Sequence, residues 1–365
     1  MSSGSSNPFA AVLEAAPEPG SGLARWKAVA TLYHAWFTGL ILLVASRKGG
    51  PVAGTWIFRT FRRQHHEKFL SSFDKLGLTG LPHAVAAAQY HFLSNSIGGV
   101  EVEYMYEADD KAWVHFCHPR WLYEGTALCG VPLEVSQGFL NGWYGHNGVS
   151  LSNPRLGFVC TSQDMTAQYG LAGYFREFPH DLAPEERLQF SPGEMAPPYD
   201  AAAAPRLDAA EWPAERLHKA NRNYAMDYIR TSLPELVALL GPGEGGALGN
   251  LAAQLIGRQF YRRLEALLGL GGDHSPAGFA CFMALMAKAQ DDACEVTPEG
   301  GAVLVRQRGW RLMRGREALH PAAFEAWNGL WQGCLAVHNR FLALEVLERQ
   351  DYGDDAFTWR IRPVA

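Results

Sequence analysis

The residues best suited to chemistry crowd into one stretch: Tyr90, His91, Asn95, Glu101, Glu103, Glu107, His115, Cys117, His118, Arg120 and Trp121, followed by Trp143, Tyr144, His146 and Asn147. Within HFCHPRW (115–121), strand alternation puts His115 and Cys117 on one face and His118 on the other. Two residues at i and i+2 can ligate one Zn or Cu ion, and His91 would be the third ligand, leaving a coordination position for water. Cys117 is equally a candidate nucleophile if His115 or His118 lowers its pKa. His91 or His146 with Glu103 or Glu107 offers general acid–base catalysis, because imidazole titrates near neutrality. Each of these has a plain alternative: a core cysteine, a histidine at a sheet edge, and a histidine in the turn before Pro119.

The candidate catalytic residues are therefore His91, His115, Cys117, His118 and His146. Trp143, Tyr144, Asn147 and Tyr90 are the candidate substrate-binding groups, since an aromatic wall with a few hydrogen-bonding tips suits a planar apolar ligand. His65 and His66 are adjacent on a helix, diverge by about 100° and cannot chelate together. No GxSxG, GxxxxGK[ST] or HExxH motif occurs, and GPGEGG (241–246) joins two helices, so nucleotide binding is not expected.

These residues must be positioned by elements that occur twice. Arg25 and Tyr33 precede Arg216 and Tyr224 by 191 positions, Pro82 precedes Pro276 by 194, and Pro132 precedes Pro321 by 189. Such slow drift is what small loop insertions in a duplicated chain produce. Helices are expected at about 24–46, 52–76, 82–96 and 132–146, and again at 213–240, 247–269, 276–291 and 321–337. Alternating segments such as VEVEYMYE, KAWVHF, AVLVRQ and AFTWRIRP read as strands. The expected class is α+β, a tandem duplication in which each half has N-terminal helices plus a small antiparallel sheet with a crossing helix. The boundaries read as a flexible tail (1–22), a first repeat carrying the site (23–178), a Pro/Ala-rich linker (179–212) and a second repeat (213–365). Val100 and Cys294 should then be equivalent strand positions, and Pro132 and Pro321 should open equivalent helices. His91, His115 and Cys117 should meet at the helix–sheet interface.

This order of elements, closing on Gly353, Asp354, Asp355, Trp359 and Ile361 in GDD-x-x-x-W-x-I, resembles the ligand-binding fold of 4-vinyl-reductase domains, TRAPP-type Golgi-transport subunits and haem-NO-binding domains. Within that group it is most similar to the L-2-amino-thiazoline-4-carboxylate hydrolase-like branch. The resemblance implies a pocket for a small, largely apolar molecule between helices and sheet. No cysteine follows Cys334 and no Tyr-x-Ser-x-Arg occurs, so haem is not expected.

The 365 residues are 48% apolar and carry a net charge of −5 without a long basic run. That balance excludes disorder and gives no footprint for nucleic acid or an anionic membrane surface. The apolar stretch Leu32 to Ser46 falls short of the ~18–20 residues of a bilayer span. Six dispersed cysteines without CxxC pairs read as reduced thiols, and the N-terminus lacks a basic start before an apolar run, so a cytoplasmic location is expected. The functional expectation is an enzyme, a hydrolase or lyase, cleaving a small, partly aromatic or heterocyclic compound, with homo-oligomerisation open. The alternative is a non-catalytic binding module for a hydrophobic small molecule or a partner protein.

Overall fold

The computed structural model describes residues 21–118 and 125–364. Most of the 1–22 tail, and Pro119, Arg120 and Trp121 of the HFCHPRW stretch, lie outside the described residues.

Helix α1 (Ser21–Lys48) buries Val29, Tyr33, Trp36, Leu40 and Val44 at helical spacing. It ends at Gly49, whose φ of 84° is open to glycine at little cost, and α2 (Gly50–Lys68) restarts with Pro51 in its first turn, where a missing N–H leaves no bond unmade. Next come α3 (His83–Ile97), the hairpin β1 (Val102–Ala108) and β2 (Lys111–Phe116), and α4 (Leu133–Gly142). The short α5 (Asn147–Ser150), β3 (Leu156–Ser162), β4 (Leu171–Glu177) and β5 (Leu188–Phe190) follow. The second half has α6 (Ala214–Leu267), α7 (Pro276–Ala289), β6 (Ala293–Glu299), β7 (Ala302–Arg308), α8 (Ala322–His338), β8 (Leu342–Glu348) and β9 (Phe357–Pro363).

The fold is α+β, and the two sheets share one strand order: β1-β2-β4-β3 in the first, β6-β7-β9-β8 in the second. That common order is what a tandem duplication requires. A further correspondence lies in the helices, because α6 is broken at Gly241 (φ 82°) just before Pro242, 192 positions after the Gly49 break. Pro132 and Pro321 both stand directly before a helix, α4 and α8. The strand equivalence is shifted from the expected one: β6 starts at Ala293 and contains Cys294, whereas Val100 precedes β1.

Two compact units result, and their limits differ from the sequence boundaries. Among the described residues, one contains those of 41–221; the other joins those before Ile41 with those from Arg222 onward. The apolar α1 thus contributes its first part to the unit built by the second half. The 179–212 stretch is more than a linker, since its β5 pairs in parallel with β3, Phe158 opposite Leu188. Helix α1 is also longer than its apolar stretch suggested. By length and composition it could cross a membrane, although most of its apolar stretch is buried in the fold.

In each half the crossing helix approaches its partner at glycines. A Cβ on Gly138 would collide with the Gly54 carbonyl oxygen, and one on Gly142 would lie 2.6 Å from the Phe58 oxygen. In the second half Gly257 abuts the Leu330 carbonyl and Gly333 that of Gln254. Backbones this close leave no room for side chains, so small residues fix the crossing.

Candidate active site

The strand alternation of β1 and β2 divides the candidate residues between two faces. Val102, Tyr104, Ala112, Val114 and Phe116 pack with Ala84, Ala87 and Ala88 of α3 and with Tyr144 in one buried cluster. Met105 and Trp113, of opposite parity, join Val159 and Tyr174 in a separate cluster on the other face. His115 and Cys117 share the parity of Trp113, so they point away from the helices.

On the helix side, His91, His65 and Asn147 are all buried. The Arg62 guanidinium donates to His65 Nδ1 (3.2 Å), His65 Nε2 donates to Asn147 Oδ1 (3.1 Å), and Asn147 Nδ2 donates to His91 Nε2 (2.9 Å). Guanidinium only donates, which assigns the direction of the whole chain: His65 carries its proton on Nε2 and His91 carries its proton on Nδ1. Both rings are neutral. Burial, with Arg62 nearby, pushes His65 down to about 3, and burial followed by His65 lowers His91 well below its ordinary value.

Aromatic rings complete this interface. His91 lies nearly parallel to Tyr144 (centroids 3.9 Å apart) and to Phe175 (5.3 Å). Trp143 meets His65 edge-on at 5.5 Å and stacks loosely on Tyr90 at 6.3 Å. The Trp143 indole N–H is buried without an acceptor among the described residues. His146 donates from Nδ1 to the Asn141 carbonyl (2.8 Å), and burial lowers its pKa. Thus Tyr90, His91, Trp143, Tyr144 and Asn147 do come together with His146 alongside, as a packed and internally bonded group. His65 was the member not anticipated; its position four residues after Phe61 and eight after Ile57 on the buried stripe of α2 was the available signal.

The outer face holds the other set. Glu103 and His115 are direct cross-strand partners, and Glu103 Oε2 lies 2.7 Å from His115 Nδ1. Cys117 follows on the same face, and one ligand atom from each of the three lies within 4.8 Å of the others. The expected metal trio is therefore corrected: the sheet separates His91 from His115 and Cys117, and Glu103 stands in its place. The Cys117 thiol is pushed up to about 11 by partial burial and by Glu103 and Glu101, so it is protonated near neutrality. Such a thiol is not activated by its surroundings. His118 is exposed and pairs with Asp164 (3.3 Å) instead of serving Cys117.

Glu103 engages His115 through Nδ1, which leaves Nε2 as the other ring nitrogen. Its Nε2 approaches Gly170 so closely that a Cβ there would stand 2.8 Å away, and the exposed Tyr169 ring lies 5.4 Å from the imidazole. Beside the start of β1, an open hollow of about 380 Å³ is lined by Phe92, Ser96, Gly99, Val100, Glu101, Val102, Glu103 and Tyr199. Glu103 is common to the hollow and the pair. Glu107 serves elsewhere, accepting from Trp113 Nε1 (2.6 Å) and pairing with Lys111 (3.2 Å).

Compared with protein-family models, with curated proteins and with solved structures, the chain has no match in any of the three.

Proposed function

We propose that the chain is an enzyme that hydrolyses or cleaves a small, partly aromatic or heterocyclic molecule on the outer face of its first sheet, with His115 as general base. The Glu103–His115 pair at 2.7 Å carries this reading. A carboxylate on Nδ1 holds the ring in one orientation and tautomer, so the Nε2 lone pair is free to take a proton from an attacking water and return it to the leaving group. The carboxylate also stabilises the imidazolium formed in between. Tyr169 beside His115, with Tyr199 and Phe92 in the adjoining hollow, supplies flat apolar contacts for a ring. The resemblance to the amino-thiazoline-carboxylate hydrolase-like branch agrees with a heterocyclic substrate. All six cysteines are free thiols, in keeping with a reducing, cytoplasmic location.

Convergence of Glu103, His115 and Cys117 favours a second arrangement of the same site, in which a Zn or Cu ion bound there activates the water. Assaying a panel of nitrophenyl esters and aryl amides, with and without added Zn²⁺, tests both. Wild-type turnover that falls at least tenfold in His115→Ala and Glu103→Gln, with circular dichroism unchanged, supports the dyad. Full activity in both variants overturns it, and ligand binding without turnover would return the chain to the class of binding modules.

A further inference from the structure

The second half holds a polar cluster that the proposed function does not use. Tyr261 and Glu265 lie one turn apart near the end of α6, His338 is the last residue of α8, and His274 sits in the loop before α7. Glu265 and His338 are buried, and His274 is exposed. One ligand atom each from Glu265, His274 and His338 lies within 4.8 Å of the others.

Hydrogen bonding leaves this cluster short of protons. His338 Nε2 lies 2.9 Å from the Ser275 carbonyl oxygen, which only accepts, so Nε2 carries the proton and Nδ1 presents a lone pair. The Tyr261 hydroxyl lies 2.6 Å from that Nδ1 and 3.1 Å from Glu265 Oε1. It has one proton for two acceptors. Whichever acceptor receives it, the other keeps a lone pair facing the Tyr261 oxygen, and a cation held by Glu265, His274 and His338 would take up what this one proton leaves unmet.

The surroundings are those of a held ligand set. A histidine that binds metal through one nitrogen commonly donates the other N–H to a backbone carbonyl, the relation His338 has with Ser275. Ser275 is itself fixed, since its hydroxyl accepts from Gly278 N (3.2 Å) to cap α7. Arg262 grips Glu265 Oε2 (2.8 Å) and the Val337 carbonyl (3.2 Å), orienting the carboxylate while leaving Oε1 turned to the cluster. Asn339 Nδ2 donates to the His274 carbonyl (2.9 Å), which ties the loop to the end of α8.

We propose that Glu265, His274 and His338 form a binding site for a divalent cation of the zinc class, with Tyr261 at its edge. Two imidazoles and a carboxylate are a donor set for Zn²⁺ or Co²⁺, and three protein ligands leave a position for water or the Tyr261 oxygen. This site is independent of the Glu103–His115 pair.

The test uses the full chain stripped with a chelator, in a His115→Ala/Cys117→Ser background that removes the other convergent cluster. Titration with Zn²⁺ should show one bound equivalent and a raised melting temperature. Adding His274→Ala, a change at an exposed loop residue, or Glu265→Gln should weaken binding at least tenfold with the circular dichroism spectrum retained. Co²⁺ should give visible d–d bands without the near-ultraviolet charge-transfer band of a thiolate ligand. A background protein that binds no Zn²⁺, or His274→Ala with unchanged affinity, overturns the proposal. Neither result bears on turnover by the Glu103–His115 pair.

Discussion

The same pair of crossing helices occurs in both halves, yet the polar groups sit at different levels along it. Gly142 abuts the Phe58 carbonyl, and Gly329 abuts that of Asn250, 187 and 192 positions later on the two helices. Counted this way, with the 192-residue spacing of the Gly49 and Gly241 breaks, His65 and Asn147 match Gly257 and Cys334; aligning Gly138 and Gly142 with Gly329 and Gly333 sets them against Tyr261 and His338. Each pair is in contact: His65 with Asn147 at 3.1 Å, and the Cys334 thiol with the Gly257 carbonyl at 3.6 Å. One turn further the pattern inverts. Phe69 and Leu151 pack in an apolar cluster in the first half, where the second half has the bonded pair Tyr261 and His338. The glycine approach is thus the shared framework, and, counted from the Gly49 and Gly241 breaks, each half places its buried polar pair at a different turn.

If the crossing is the framework, breaking it should cost most. Gly138→Ala forces a methyl against the Gly54 carbonyl oxygen, and neither helix backbone can yield without moving the whole interface. Alanine's better helix propensity returns only about 1 kcal/mol. A net loss of about 3 kcal/mol is expected from this overpacking, read as a lower denaturant midpoint. Gly333→Ala, against the Gln254 carbonyl, should behave alike in the second half. Unchanged stability in either variant would show that one crossing is loose and the two halves are not equivalent.

Deleting the polar pair should separate the halves. Asn147→Leu removes the acceptor for His65 Nε2–H and the donor for His91 Nε2, leaving buried groups unpaired at about 2 kcal/mol. Cys334→Ala, at the matching position, removes one weak thiol contact and a small volume, worth about 1 kcal/mol. Equal losses in urea denaturation would argue that the hydrogen-bonded chain adds nothing beyond packing.

Acid should act on the first unit through His65. Burial holds its folded pKa at about 3, while an unfolded histidine titrates near 6.5. Above that pH its contribution is complete. As pH falls from about 6.5 toward 3 the unfolded chain takes up a proton the folded chain refuses, and stability is progressively lost. His65→Gln should make the fall shallower by up to one proton, about 1.4 kcal/mol per pH unit. His91, which burial also holds well below its ordinary value, keeps a residual dependence. An unaltered slope in His65→Gln would place the titration elsewhere.

Much of this was legible in the sequence. Helical and alternating periodicities gave the order of elements, and GPGEGG (241–246) read correctly as a helix junction because glycine and proline punctuate local geometry regardless of packing. The face of β2 was not legible. Ala112, Val114 and Phe116 form one stripe, Trp113, His115 and Cys117 the other, and both faces of this sheet carry buried clusters. Only the partner strand decides between them, through Val102 and Tyr104 on the helix side and Glu103 and Met105 opposite. The assignment of α1's first part to the second unit is equally tertiary, since an apolar helix surface does not encode which core will cover it.

The smallest effect sharpens the comparison most. Tyr261→Phe reproduces in the second half what Phe69 already is in the first: a ring with no hydroxyl. The variant leaves His338 Nδ1 and Glu265 Oε1 without their shared donor, and Arg262 still satisfies the other carboxylate oxygen. A loss of about 1 kcal/mol is expected in chelator. Added Zn²⁺ should reduce that loss, because the cation takes up the same lone pairs. The reciprocal Phe69→Tyr adds a hydroxyl to the hydrophobic cluster that includes Phe73, Leu78, Leu93 and Leu151, and Zn²⁺ should not relieve its cost. Thermal melts of both variants with and without Zn²⁺ decide the matter. If both respond equally to the metal, or neither does, the polar groups one turn apart are not what distinguishes the two halves.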